Sequence, residues 1–283
     1  MEDKIRKIAI VAICSDDYLL DRLVLKGGNA LSLVHGIGLR TSLDIDFSIE
    51  RDFEDVAEAE RRLLESLKHH FALNGLTIFD ALFRVKPKGA ENDWWGGYCV
   101  EFKLIQKGKA DAIGNELARM RRESQSIDNS GQGARIFTID ISKNEFTGGK
   151  AQAELDGYVC YVYTPHMIAA EKLRAICQQM EGYQFVKNKK RRARDFYDIH
   201  AICEAIQVDF TSPDFHYVVE QIFQAKQVPL DFLGRIATEE IRAFHATDWV
   251  SARSSVTGAK QDFDYYFNYV CAMLDGLKPL WVK

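Results

Sequence analysis

The stretch Val24–Glu50, VLKGGNALSLVHGIGLRTSLDIDFSIE, constrains this chain more than any other. Within it Leu43–Ile49 alternates as a strand, with Ile45, Phe47 and Ile49 on one face and Asp44, Asp46 and Ser48 on the other. Two carboxylates two residues apart on a strand stand roughly 6.5–7 Å from each other along the chain. They repel, and each is costly to remove from water. A hard divalent cation such as Mg2+ or Mn2+ resolves that conflict. The alternative is an exposed edge strand whose aspartates are solvated or serve as caps. Zinc fits less well, because no histidine or cysteine stands at ligand spacing nearby, and His200-x-x-Cys203 reads as part of a helix stripe. Ahead of the acids, Gly27-Gly28 joins a short strand, Leu23–Leu25, to a helix over Asn29–His35 that the Gly36-Ile37-Gly38 turn ends. Glycines at a strand-to-helix junction free backbone N–H groups at the positive end of a helix, where phosphate binds. A phosphate cradle followed by paired acids describes a site for a nucleoside triphosphate and its metal.

The rest of the chain bounds this reading. Its 283 residues allow two domains with sizeable cores, and 47% hydrophobic and 28% charged residues suit a globular protein. A net charge of −4 argues against a surface that coats nucleic acid throughout, but it leaves room for a local basic patch. The six cysteines are scattered without a CxxC pair, as expected of reduced thiols in a cytoplasmic protein. In the opening MEDKIRKIAIVAICSDDYLL, Asp16 and Asp17 cut the apolar run short, so neither a signal peptide nor a membrane span is expected.

Periodicity predicts a helix over residues 3–13, an amphipathic helix over Glu54–Gly75, and strands at Thr77–Val85, Tyr98–Ile105 and Arg135–Ser142. The charged segment 107–134 takes no assignment. From Thr164 the pattern turns helical. TPHMIAAEKLRAICQQM opens on Thr-Pro, RDFYDIHAICEAI places Phe196, Ile199, Cys203 and Ile206 on one stripe, and helices are expected over 214–226 and 261–276. The expected division is a mixed α/β part, residues 1–160, followed by an α-helical part, residues 161–283. Between two of these helices runs a cationic cluster of Lys187, Lys189, Lys190, Arg191, Arg192 and Arg194. It is either a solvated loop or a contact for an RNA backbone or a triphosphate. Tyr183 and Phe185 before it either pack or stack on bases.

Lys26-Gly27-Gly28-Asn29-Ala30-Leu31 and Arg40-Thr41-Ser42-x-Asp44-Ile45-Asp46-Phe47 resemble the first two motifs of the AbiEii/AbiGii toxin family of nucleotidyltransferases, within the polymerase-β-like superfamily. EKLRA (Glu171–Ala175) is similar to that family's lysine-bearing helix, and RRARDFYDIHAI (Arg191–Ile202) to its Arg-x-[Lys/Arg]-Asp-x-x-Asp motif. The first motif departs from the wider superfamily in having Gly-Gly-Asn for Gly-Ser, and the chain beyond about residue 210 is covered only loosely.

The resemblance implies a polymerase-β-like nucleotidyltransferase domain with a mixed sheet, followed by a helical domain. It implies Mg2+- or Mn2+-dependent transfer of a nucleoside monophosphate from an NTP to an acceptor hydroxyl. Asp44 and Asp46 would bind metal with a third carboxylate from a neighbouring strand. That third acid is Asp140, which shares a face with Thr138 and Ser142, or Glu101, which shares a face with Lys103 and would pair with it. Lys26, Gly27, Gly28, Asn29, Arg40, Ser42 and Lys172 would contact the nucleotide, the glycines through backbone N–H and Asn29 through its side chain. Lys172 lies beside a stripe of Ala169, Leu173, Ile176 and Met180, where it either snorkels to solvent or meets the triphosphate. Asp195 would orient Lys172 or the acceptor, the alternative being a helix cap. Asp198 would brace Arg194 or Arg191. The two parts would meet at a cleft into which Lys172 and Asp195 reach. The acceptor implied is RNA, tRNA ends in some members, and the partner a separately encoded antitoxin. A small-molecule nucleotidyltransferase of the antibiotic-modifying type and a nucleotide-binding module without catalysis are the alternatives.

Overall fold

The computed structural model describes residues 2–37, 44–87, 94–126, 135–254, 256 and 260–282. The alternation read in Leu43–Ile49 becomes the middle strand of a seven-stranded sheet. The strands are β1 (Val24–Lys26), β2 (Ile45–Ser48), β3 (Leu76–Lys86), β4 (Gly97–Gln106), β5 (Phe137–Ser142), β6 (Ala151–Leu155) and β7 (Tyr158–Val162), in the order β3-β4-β5-β2-β1-β7-β6. β2 runs parallel to β5 and β1 parallel to β7, while the other neighbours are antiparallel, so the sheet is mixed.

Two compact units divide the chain. One comprises Met1–Asn29, Ser42–Asn144 and Ala151–Val162, the other Ala30–Thr41, Glu145–Lys150 and Tyr163–Lys283. The first holds the whole sheet. Ile45, Phe47 and Ile49 are buried, as are Ile139 and Ile141 of β5. Burying each such side chain contributes about 1.5–3 kcal/mol. The helix Val56–Leu73 presents Ala59, Leu63, Leu67 and Phe71, the i, i+4 stripe that its sequence spells, to the helix Glu2–Cys14 and to β3. Asp55 caps its start by accepting from the Glu58 N–H at 3.0 Å, and Gly75 follows its end with φ +71°. The segment 107–134, unassigned from sequence, contains the helices Lys107–Ile113 and Leu117–Glu123, whose Ala110, Ile113 and Met120 form a small core with Phe79 and Ile105.

The second unit is helical. Pro165–Cys177 packs against Ala193–Ile206 and Pro213–Ala225, and Phe263–Leu274 packs against Ala193–Ile206. Thr164 caps the first of these, accepting from the Met167 N–H at 3.3 Å, with Pro165 behind it. The β6–β7 hairpin and the short helices Phe232–Arg235, Glu239–Ala246 and Trp249–Ser254 add to what the sequence pattern predicts. Among the described residues no helix is long and apolar enough to cross a membrane.

Candidate active site

The sheet register turns isolated acids into a face. Lys26 of β1 pairs with Asp46 of β2, Asp46 with Asp140 of β5, Asp140 with Cys99 of β4, and Cys99 with Arg84 of β3. Register partners project to the same side of a sheet, so these five side chains form one row across five strands. Adjacent strands lie about 4.8 Å apart, which sets Asp46 and Asp140 side by side. Asp44, just before β2, is exposed.

The Gly-Gly segment is fitted to this row. Gly27 has φ +69°, and a Cβ there would lie 2.7 Å from Oδ2 of Asp46, so the turn closes on the carboxylate only because residue 27 has no side chain. The helical turn Gly27–Asn29 follows directly, and Ala30–Val34 continues it with π-helical bonding. Asn29 is fully buried, and its Nδ2 donates to the Asp44 carbonyl at 2.6 Å. That bond ties the Gly-Gly segment to the strand bearing the acids. Arg40 and Ser42 lie outside the described residues.

Lys86, at the end of β3, was not singled out by sequence. Its Nζ donates to both oxygens of Asp140, at 2.9 and 3.2 Å. Burial opposes its charge, but the bond to Asp140 and the charges of Asp140, Cys99 and Asp44 outweigh it and raise its pKa above the ordinary lysine value. Burial first, and then the charge of Asp140, push the Cys99 thiol up to about 11, so it stays protonated at neutral pH. Glu101, the competing third acid, faces Thr138 rather than Asp140 and pairs with Arg84. Lys103, expected beside Glu101, instead holds Asp80 at 3.0 Å, and Arg121 meets the same carboxylate at 2.7 Å.

The second unit carries the other motif residues. Lys172 does not snorkel. It is buried, with Nζ 2.9 Å from Oδ1 of Asp195 and 2.6 Å from Oδ2 of Asp198. The two acids are one helical turn apart on Ala193–Ile206, so one ammonium bridges both. Asp198, read from sequence as a brace for Arg194 or Arg191, thus has Lys172 as a close partner. Arg192 stands 3.8 Å from Asp195, and its backbone N–H donates to Nδ1 of the fully buried His245 at 2.8 Å.

The basic run splits by role. Lys189 donates to the carbonyls of Gln178 and Tyr183, at 3.1 and 2.9 Å, and holds the loop. Lys187, Lys190, Arg191 and Arg194 are exposed. Tyr183 is not a stacking platform, because it is buried with its hydroxyl donating to the Lys226 carbonyl at 2.7 Å.

The sheet face suits a hard divalent ion by ligand type: Asp44, Asp46 and Asp140 offer carboxylate oxygens only. Among the described residues no group of three or more His, Cys, Asp or Glu side chains is gathered tightly enough to enclose an ion, and Lys86 supplies the cation at Asp140. The acids fit as an open set of donors rather than a closed cage.

A family model described as nucleotidyl transferase AbiEii toxin, type IV TA system, matches residues 9–269. The fold resembles the crystal structure of a candidate nucleotidyltransferase from H. pylori, with TM-score 0.51 and 16% identity over 99% of this chain and 94% of that one. An antigenic nucleotidyltransferase-like protein from Paracoccidioides brasiliensis aligns with TM-score 0.43 and 13% identity over 92% of this chain and 96% of that one. A search of curated proteins finds no match. With the family match spanning nearly the whole length, the chain belongs to the AbiEii nucleotidyltransferase toxin family.

Proposed function

We propose that this chain transfers a nucleoside monophosphate from an NTP to a hydroxyl of RNA, tRNA first among candidates, as the cytoplasmic toxin of a toxin–antitoxin pair. The observation that carries the reading is the register match of Asp46 with Asp140 beside the Gly27 turn. Asp44, Asp46 and Asp140 would hold Mg2+ or Mn2+, which when bound supplies charge neutralisation for the triphosphate and acidifies the acceptor hydroxyl. The acceptor oxygen attacks the α-phosphorus, the bond to the β-phosphate oxygen breaks, and pyrophosphate leaves. Asp140 takes the acceptor's proton. The backbone N–H groups of Gly27 and Gly28, with Lys26, Arg40 and Ser42, would bind the phosphates. Asn29 would contact the phosphates through its side chain, and its Nδ2 also donates to the Asp44 carbonyl and holds that strand end in place. Lys172 would meet the triphosphate as a point charge, oriented by Asp195.

The exposed cations Lys187, Lys190, Arg191 and Arg194 support an RNA acceptor through phosphate contacts. A separate antitoxin follows from the family's description as a type IV toxin–antitoxin system. The test is incubation with each α-labelled NTP, Mg2+ or Mn2+, and total bacterial RNA, against an Asp44→Ala/Asp46→Ala control. Label entering tRNA-sized RNA, and lost in the control, is the expected result. Label on the protein itself would replace RNA transfer with protein nucleotidylation. No label with nucleotide binding intact would shift the acceptor to a small molecule or leave a binding module.

A further inference from the structure

We propose that Lys86 is a resident cation that competes with the divalent ion for Asp140, and so sets the metal affinity of the site. The proposal rests on the metal reading given above. Four observations carry it. The Lys86 ammonium engages both Asp140 oxygens, at 2.9 and 3.2 Å, so it occupies the lone pairs that a metal would use. Its path is open because its register partner on β4 is Gly97, and on the next strand Gly97 faces Ser142. No side chain at residue 97 stands between β3 and β5, so Lys86 reaches past β4 to Asp140.

The neighbouring acids on these strands have their own cations, Arg84 for Glu101 and Lys103 with Arg121 for Asp80. Lys86 is thus dedicated to Asp140 rather than one member of a diffuse cloud. Finally, the Lys86 side chain is 59% exposed against 30% for Asp140. An ammonium so exposed leaves its partner readily, since ion pairs at the surface are weak. Asp140 is therefore balanced before metal arrives, and the ion enters by exchange with Lys86.

The test is Mn2+ binding to the whole protein, followed by electron paramagnetic resonance without nucleotide, for wild type, Lys86→Gln, Lys86→Arg and Asp140→Asn. Removing the competitor tightens Mn2+ binding by roughly two- to fivefold in Lys86→Gln, the fold-change that matches an exposed ion pair. Lys86→Arg weakens it, because a guanidinium grips a carboxylate through two parallel bonds. A purely structural lysine would not give these opposite signs. If wild type binds Mn2+ in an Asp140-dependent way and Lys86→Gln binds equally or more weakly, the competition is refuted and the metal reading stands. If Asp140→Asn leaves wild-type binding unchanged, the metal reading itself fails, and this proposal falls with it.

Discussion

Acid should destabilise this protein through one histidine. His245 is fully buried, its ring lies 5.5 Å from that of Phe196, and its Nδ1 accepts the Arg192 N–H at 2.8 Å. Burial is the main cause that lowers its pKa to about 4. The charge of Asp195 works against that shift and the charge of Arg192 adds to it. In the unfolded chain the same imidazole titrates near 6.5. Above that pH both states hold it neutral, and its contribution to stability is complete. As pH falls from 6.5 towards 4 the unfolded chain takes up a proton that the folded protein refuses, so stability declines. At 1.36 kcal/mol per pH unit the whole window is worth roughly 3 kcal/mol. The perturbation is His245→Asn, whose Oδ1 can accept the same N–H but does not titrate. Urea unfolding across this range should give a wild-type stability that falls by roughly 3 kcal/mol relative to the variant on acidification. Parallel curves would show that His245 is not held neutral in the folded protein. The consequence reaches the motif residues, because the helix that His245 holds through Arg192 carries Asp195 and Asp198.

Two further outcomes follow from the same geometry. Lys172→Met strands the buried carboxylates of Asp195 and Asp198, so chemical denaturation should show a loss of about 3–5 kcal/mol, part of it recovered in Lys172→Met/Asp198→Asn. A single substitution costing under about 1 kcal/mol would contradict the buried bridge. Gly27→Ala imposes about 1–2 kcal/mol of left-handed strain and pushes on Asp46, so nucleotide transfer should fall far more than Tm; equal loss of both would mean that the turn is only structural.

What the sequence revealed tracks the range of the interactions involved. Alternation in Leu43–Ile49 and the stripe Ala59, Leu63, Leu67 and Phe71 are local, and both were legible. Asp46, Gly27 and Lys172 were legible as motif residues. Their partners were not, because strand register and helix packing decide them. Lys86 meets Asp140 through a pairing of β3 with β4 and of β4 with β5 that no local pattern encodes. Arg174 likewise finds Glu145 at 2.8 Å, a fully buried pair made by residues from a helix and a distant loop. The β6–β7 hairpin is a different kind of miss. Its signal, Asp156-Gly157, was present and takes φ +49° and +84°, the two-residue turn that such a dipeptide favours. The strand before it, Ala151–Leu155, alternates but is built largely from Ala and Glu, residues of low β-propensity.

The pairing of Asp46 with Asp140 also fixes when the site comes into being. The helix Val56–Leu73 and the β3–β4 hairpin lie between these acids in the chain, yet β5 docks directly beside β2. Contacts between segments so far apart in sequence close late, after the intervening loop has been ordered. A nascent chain that has emerged only as far as β4 carries Gly27, Asp44 and Asp46 but not Asp140. The row of side chains closes when β5 pairs in register with β2, and a slip of one residue would send Asp140 to the buried face. Synthesis of the acids and their assembly into one row are thereby separate events on the same polypeptide.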